Sequence, residues 1–391
     1  MRMISAFSVI VVGMLAALAS AAPQSRGGEA GKGDALVYIG TYTGAKTNSQ
    51  GIYAFRMHER AGQPPAFTPL GLAVETASPS FITVDRARAL LFAVNEISNY
   101  EGKPTGSVSA YSIDRATGRL TLINRQPSLG RSPCHLTLDR TGRHLLVANY
   151  SSGTVAVLPV AADGRLGEPT AVQHSGSSIN KQRQEAPHAH CTNFDPAYRF
   201  FFACDLGTDQ VMAYRLDDAK GILTAHTPPF AAVKAGSGPR HMAFRPDGRY
   251  AYVLNELTST VTAFSYDAQK GVLTEGQTSS TLPAGHTGQN SGAEIAVHPS
   301  GRFVYTSNRG HNSIAIFRVD RATGALTFVR TQETGGRTPR NFALDPSGRL
   351  LLAANQDSGT VVVFTIDEAS GDLTSTGVTV EVPSPVCVTF S

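Results

Sequence analysis

A ring of seven four-stranded antiparallel blades, an all-β propeller, is the fold this sequence predicts. Three observations carry the reading. A turn motif recurs along the chain, its copies are about 51 residues apart, and each chain end holds the part of a copy that the other lacks.

Composition frames these signals. Of 391 residues, 38 are Gly and 22 are Pro, a turn-rich chain that does not suit a helical bundle, and the absence of Trp weighs against repeat families built on that residue. Lys and Arg number 34 against 30 Asp and Glu, for a net charge of +4 with no basic or acidic tail. That balance gives no nucleic-acid footprint.

Met1 to Ala22 opens with Arg2, runs apolar from Ile4 to Leu18 and ends in the small residues Ala19, Ser20 and Ala21. It reads as a cleaved secretory signal peptide, since the apolar run falls short of the ~20 residues that span a bilayer. The expected location is therefore periplasmic or extracellular, with no membrane association after cleavage. Residues 23–34 read as a flexible lead-in, and residues 35–391 as one propeller without a linker.

Each copy begins with a small or Pro residue, at Pro79, Pro133, Ala189, Pro239, Gly292, Pro339 and Pro385. Six residues on comes a tight turn: Asp139 to Arg143, Asp195 to Arg199, Arg245 to Arg249, His298 to Arg302 and Asp345 to Arg349, with a shorter form at Asp85 to Arg88. A second strand then ends at Asn95, Asn149, Asp205, Asn255, Asn308 or Asn355, each 10 residues after the first residue of its turn. β-Branched third strands follow, as at Thr260 to Phe264, and fourth strands open on Gly-x-Leu-Thr, as at Gly271 to Thr274. The last copy retains only Val386 to Phe390, whereas Leu36 to Phe55 starts with second and third strands. Pairing the two ends closes the ring and removes the open edge.

In an antiparallel hairpin the start of the first strand meets the end of the second. Residues at those places in all blades therefore converge on one channel mouth, which brings together His190, Arg240, Glu256 and Arg309 from three consecutive blades. Two guanidiniums can hold a carboxylate or phosphate and stabilise an oxyanion. Either Glu256 or His190 can move a proton. Arginines beside Glu256 lower its pKa, which leaves His190 about equal to it as the base. The ring also includes Glu96, His135, His241 and Arg340. The loop from His174 to Pro187, with Lys181 and Arg183, either covers the mouth and contacts an anion or is a solvated excursion.

These residues resemble the propeller-type lactonases of the cycloisomerase 2 family, whose members include bacterial 6-phosphogluconolactonases and fungal carboxymuconate cyclases. The resemblance rests on Gly238-Pro-Arg-His-Met-Ala-Phe244 and Tyr252-Val-Leu-Asn-Glu256. Tyr38-Ile-Gly-Thr-Tyr42, Pro187-His-Ala-His190 and Ser307-Asn-Arg-Gly310 support it. It implies catalytic roles for His190, Arg240, Glu256 and Arg309, lactone hydrolysis, and no metal or other cofactor. His188, His241, His135, Glu96, Arg340 and Asn290 are the candidate substrate contacts, with His188 a second choice for the imidazole role because the repeat sets His190 level with Arg240. The implied partner is a small lactone or organic acid; the sequence leaves monomer and dimer both open. Export favours an unphosphorylated sugar lactone, since a 6-phosphogluconolactone is cytoplasmic. A non-catalytic propeller that binds a ligand or protein at the same mouth, and a muconate-type cycloisomerase, are the alternatives.

Four cysteines, at 134, 191, 204 and 387, show no C-x-x-C spacing. Cys191 and Cys204 are equidistant from one hairpin turn and face each other, a possible disulfide in an oxidising compartment, though two small buried thiols is the preferred reading. A metal held by His135, His190, His241, Glu96 and Glu256 is disfavoured by Arg240 and Arg309, so no metal is assigned.

Overall fold

The computed structural model describes residues 34–59 and 62–391. The expected signal peptide, 1–22, and nearly all of the lead-in, 23–34, lie outside them. Every regular element among the described residues is a β-strand, and the strands form seven four-stranded sheets. Strands β1 (Ala35–Thr41), β2 (Gly51–His58) and β3 (Ala66–Glu75) are joined by β28 (Pro385–Phe390), which pairs antiparallel with β1 from Val37↔Phe390 to Gly40↔Cys387. The two chain ends thus complete one blade, as the sequence predicts.

Blades two to seven run in chain order through β4–β7 (82–127), β8–β11 (133–173), β12–β15 (189–232), β16–β19 (239–280), β20–β23 (291–333) and β24–β27 (339–381). Five of the six strand-ending residues named above close their second strands, and at the sixth, Asn308, the strand β21 (Phe303–Arg309) extends one residue further. Their side chains explain why Asn recurs. Asn149, Asn308 and Asn355 are fully buried and donate to the carbonyls of Ser128, Thr281 and Thr334, tying each second strand to the loop that arrives from the preceding blade.

Seven separate apolar clusters fill the spaces between adjacent sheets, one per interface. Large rings do much of this filling, among them Tyr38, Phe92, Phe202, Tyr252, Phe303 and Phe364, all buried. The hydroxyls of Tyr38, Tyr252 and Tyr305 reach the carbonyls of Gly118, Gly324 and Gly371 in the next blade. Burying the ring while satisfying its hydroxyl makes tyrosine suitable at these contacts.

The inner strands carry a feature the repeat did not reveal. Their ladders shift register between Pro133 and His135, Ala189 and Cys191, Pro239 and His241, Gly292 and Ile295, and Pro339 and Asn341. The same shift separates Pro385 from Cys387. Cys134, His190, Arg240, Arg340 and Val386 are the bulged residues, along with Ala293 and Glu294. A bulge frees a residue from the ladder and re-aims its side chain, and here it repeats around the mouth.

Candidate active site

Arg240, Glu256 and Arg309 meet as expected. Gly238, just before the opener Pro239, has φ +66°, a conformation that favours glycine. Its carbonyl accepts the Glu256 N–H at 2.7 Å, which sets Glu256 beside the bulged Arg240. Oε2 of Glu256 lies 3.0 Å from Nε of Arg240 and 2.9 Å from Nη2 of Arg309. The Arg240 Nε–H is not aimed along that line and has no hydrogen-bond acceptor, so this contact is an ion pair and not a directed bond. Arg309 Nη2 also donates to the Gly292 carbonyl at 2.7 Å, and Arg240 Nη1 donates to that of Ala293.

A third guanidinium completes the clamp. Arg183, from the loop between β11 (Thr170–Gln173) and β12 (Ala189–Phe194), donates to Oε1 of Glu256 at 2.7 Å and to the Tyr150 hydroxyl at 3.2 Å. The loop thus reaches Glu256 at the mouth. Lys181 stays exposed on it and reaches only the Ser178 carbonyl. Burial alone would raise the Glu256 pKa, but Arg309, Arg240 and Arg183 outweigh it and hold the carboxyl at about 2. Glu256 is therefore a permanent anion that holds three cations in place.

His190 stands next to this cluster. Its ring centroid is 5.2 Å from that of His241 and 5.5 Å from that of Tyr150, and its Nδ1 lies 3.8 Å from the Cys134 thiol. Burial, then Arg240 and His241, hold its pKa well below the usual histidine range, so the imidazole is neutral. His241 and His135 are shifted the same way, burial again leading. His241 places Nδ1 2.8 Å from Oε1 of Glu294 and Nε2 3.3 Å from Nη1 of Arg240. The His135 ring lies against Phe81, centroids 4.1 Å apart and planes tilted by 33°, and contacts the Thr192 hydroxyl. His188 stacks on Tyr150 at 4.6 Å, with Nδ1 3.0 Å from the Tyr150 carbonyl and Nε2 3.3 Å from Glu185 on the Arg183 loop.

Glu96 and Arg340 occupy the other side of the mouth. Oε2 of Glu96 accepts from the Ser80 and Tyr42 hydroxyls, and burial raises its pKa despite nearby Arg340. The Arg340 guanidinium lies over the Tyr42 ring, 5.1 Å from its centroid. Among the described residues it has no carboxylate within ion-pair distance, unlike Arg183, Arg240 and Arg309. Asn290 is placed differently from the expectation that made it a substrate contact. Its Nδ2 donates to Ser259 Oγ and Asn308 Oδ1 and its Oδ1 accepts the His311 N–H, so the carboxamide is consumed in holding the loop before β20.

Two cavities share the central channel. One of about 10 Å³, room for about one water molecule, is lined by Ser80, Glu96, Cys134, Arg240, His241 and Arg340, among others. The other, about 500 Å³, opens at the opposite end among Thr83, Thr137, Asn193, Pro299, Asp345 and Thr389. Phe81, Glu294 and Asn341 border both and form a partition. The larger space lacks the arginine cluster, which lies at the narrower end. Cys191 and Cys204 face each other across β12 and β13 (Phe201–Asp205) as free, buried thiols.

The family model for the seven-bladed β-propeller lactonases matches residues 36–390. The chain belongs to that family. It is 39% identical to a 6-phosphogluconolactonase of Bacillus subtilis over 357 residues, 90% of this chain and 97% of that protein. A 6-phosphogluconolactonase of Pectobacterium carotovorum is 38% identical over 256 residues, 64% of this chain and 73% of that one. The solved periplasmic gluconolactonase of Pseudomonas aeruginosa is 36% identical with a TM-score of 0.83, covering 92% of this chain and 99% of that one.

Sequence reasoning left Arg183 between two placements and gave Tyr42 no role at the site. Arg183 lies in a loop that no other blade repeats, whereas Tyr42 was visible in the Tyr38 to Tyr42 motif but had no assigned partner.

Proposed function

We propose that this propeller hydrolyses a sugar-type lactone at the mouth formed by Arg240, Arg309, Arg340 and His190. The observation that carries the reading is the Glu256 clamp: an ionised carboxylate that fixes arginines beside a neutral imidazole. Arg340, free of a carboxylate partner, binds oxygens of the substrate. Arg240 and Arg309 face the lactone carbonyl and stabilise the oxyanion as it forms, a role worth about 10²–10³ in rate for one donor in comparable sites.

With its pKa near 2, Glu256 takes no proton from water at neutral pH. The two candidates of the sequence reading thereby separate, Glu256 as a positioning residue and His190 as the base. Water attacks the carbonyl carbon as its proton passes to His190. The C–O bond of the ring then breaks, and the imidazolium returns that proton to the departing ring oxygen. The product is an open-chain hydroxy acid whose carboxyl releases a proton to solvent.

Sequence and comparison together favour an unphosphorylated, gluconolactone-like substrate and a periplasmic location. The amino-terminal segment reads as an export signal, and a 36% identical neighbour is a periplasmic gluconolactonase. Acid release by the purified protein, followed at constant pH on glucono-δ-lactone and on its 6-phosphate, tests this. Acceleration over spontaneous hydrolysis with preference for the unphosphorylated lactone is the expected result. No acceleration of any sugar lactone refutes the function, and preference for the phosphate refutes the substrate.

A further inference from the structure

His144 departs from the repeat. Where the second strand opens, the other blades place Leu90, Phe200, Tyr250, Phe303 and Leu350. The rings of Phe200, Tyr250 and Phe303 lie beneath Gly271, Gly324 and Gly371 of the following blade, and His144 lies likewise beneath Gly221. An imidazole thus fills an aromatic slot, and its buried Nδ1 has no hydrogen-bond partner. That nitrogen is aimed between two carboxylates. Oδ2 of Asp139 and Oδ1 of Asp218 each lie 3.6 Å away, beyond hydrogen-bond reach.

We propose that Asp139, His144 and Asp218 form a site for a zinc-type divalent ion that clips the third blade to the fourth. The three donor atoms all lie within 4.8 Å of one another. Bonds of about 2.0–2.1 Å at a tetrahedral angle hold ligand atoms about 3.3 Å apart, so the two 3.6 Å separations from Nδ1 need only slight tightening, while the two carboxylate oxygens, within 4.8 Å of each other, draw together on binding. One imidazole with two carboxylates suits Zn²⁺ or Mn²⁺, whereas Ca²⁺ and Mg²⁺ prefer oxygen ligands alone.

The surroundings orient two of the ligands. Oδ1 of Asp139 accepts the backbone N–H groups of Arg143 and His144, and its Oδ2 also accepts the Thr141 hydroxyl. Oδ2 of Asp218 is held by Nη2 of Arg143, which leaves Oδ1 for the ion. A cavity of about 360 Å³ bordered by Asp139 and Asp218 leaves room for a water molecule as fourth ligand. Arg140, Arg199 and Arg215 line that cavity too, and with Arg143 they temper the affinity for a cation. Asp139 belongs to a first-to-second strand turn and Asp218 to a third-to-fourth strand turn, both on the face opposite the mouth. The ion therefore stabilises the ring and takes no part in hydrolysis.

The test uses the purified, metal-stripped protein with Zn²⁺, Mn²⁺ or Ca²⁺, read by titration calorimetry and thermal unfolding. Asp218→Asn alters a side chain that is 57% exposed on a turn, and His144→Phe installs a ring type that other blades carry. The expected result is one Zn²⁺ per chain with a higher Tm, at least tenfold weaker binding in Asp218→Asn, loss of the Tm response in His144→Phe, and lactone turnover unchanged in both. Failure of the parent protein to bind Zn²⁺, a response to Ca²⁺ alone, or binding in both variants equal to that of the parent, as a site elsewhere at the paired His286 and His311 rings gives, overturns the proposal.

Discussion

Replacing Glu256 by Gln keeps the side chain's size while removing the anion between three arginines. The carboxyl titrates near 4.5 in the unfolded chain and about 2 in the fold. A depressed folded-state pKa gives stability that is fully present above 4.5 and is lost as pH falls toward 2. At one tenfold step per 1.36 kcal/mol, the contribution is about 3 kcal/mol at pH 7 and about 1 kcal/mol at pH 3. Glu256 is only 6% exposed, so solvent does not screen this away. A ring of about 350 residues unfolds with an entropy of about 0.75 kcal/mol/K, so the pH-dependent part of the Tm gap between parent and variant shrinks by about 3 °C between pH 7 and pH 3. Calorimetry at the two pH values measures it. Other titrating groups largely cancel in the difference, as does the fixed cost of the amide. A gap that does not narrow on acidification refutes the claim that Glu256 is the ionised centre of the clamp.

Because His190 is neutral throughout the ordinary range, lactonase kcat/KM is expected to be flat from pH 6 to 8, and an inflexion near 6.5 that disappears in His190→Gln contradicts that state. His190→Gln itself is expected to lower kcat by at least a hundredfold with Tm held within about 2 °C; a kcat near that of the parent removes His190 from the base role. Arg183, 41% exposed and on the loop before β12, is expected to act on binding more than on chemistry. Arg183→Ala then raises KM about tenfold with kcat within threefold, and the reverse split in steady-state kinetics assigns it to the transition state. Arg340→Lys keeps the charge but loses the planar fork stacked on Tyr42. It is expected to cost about tenfold in kcat/KM, less than Arg340→Ala, and equal losses in the two show that charge counts for nothing there.

The ring was legible because its information is periodic: turns, strand-ending Asn residues and Gly-x-Leu-Thr starts recur at one spacing, and the terminal copies are complementary. The meeting of Arg240 with Glu256 followed from the same register. What the repeat could not show is where the ladder breaks. The bulges that aim His190, Arg240 and Arg340 arise after Pro or small openers whose spacing also fits an unbroken strand. The partner of Arg183 was hidden for another reason, since its loop has no counterpart in the other blades and Glu256 is 73 residues away. Asn290 was misjudged because a nearby carboxamide was counted without asking whether Ser259, Asn308 and His311 already used it. His144 shows the opposite case, a departure visible by comparing blades position by position, whose meaning needed the coordinates of Asp218 in the next blade.

A crystal structure with bound gluconate, the hydrolysis product, asks most directly where the reaction occurs. Its carboxylate is predicted to lie within about 3 Å of Arg240 or Arg309, its hydroxyls near Arg340, and His190 next to the carboxyl carbon. Gluconate seated instead among Thr83, Thr137 and Pro299 in the wide cavity at the other end, with the arginine mouth unchanged, contradicts the account.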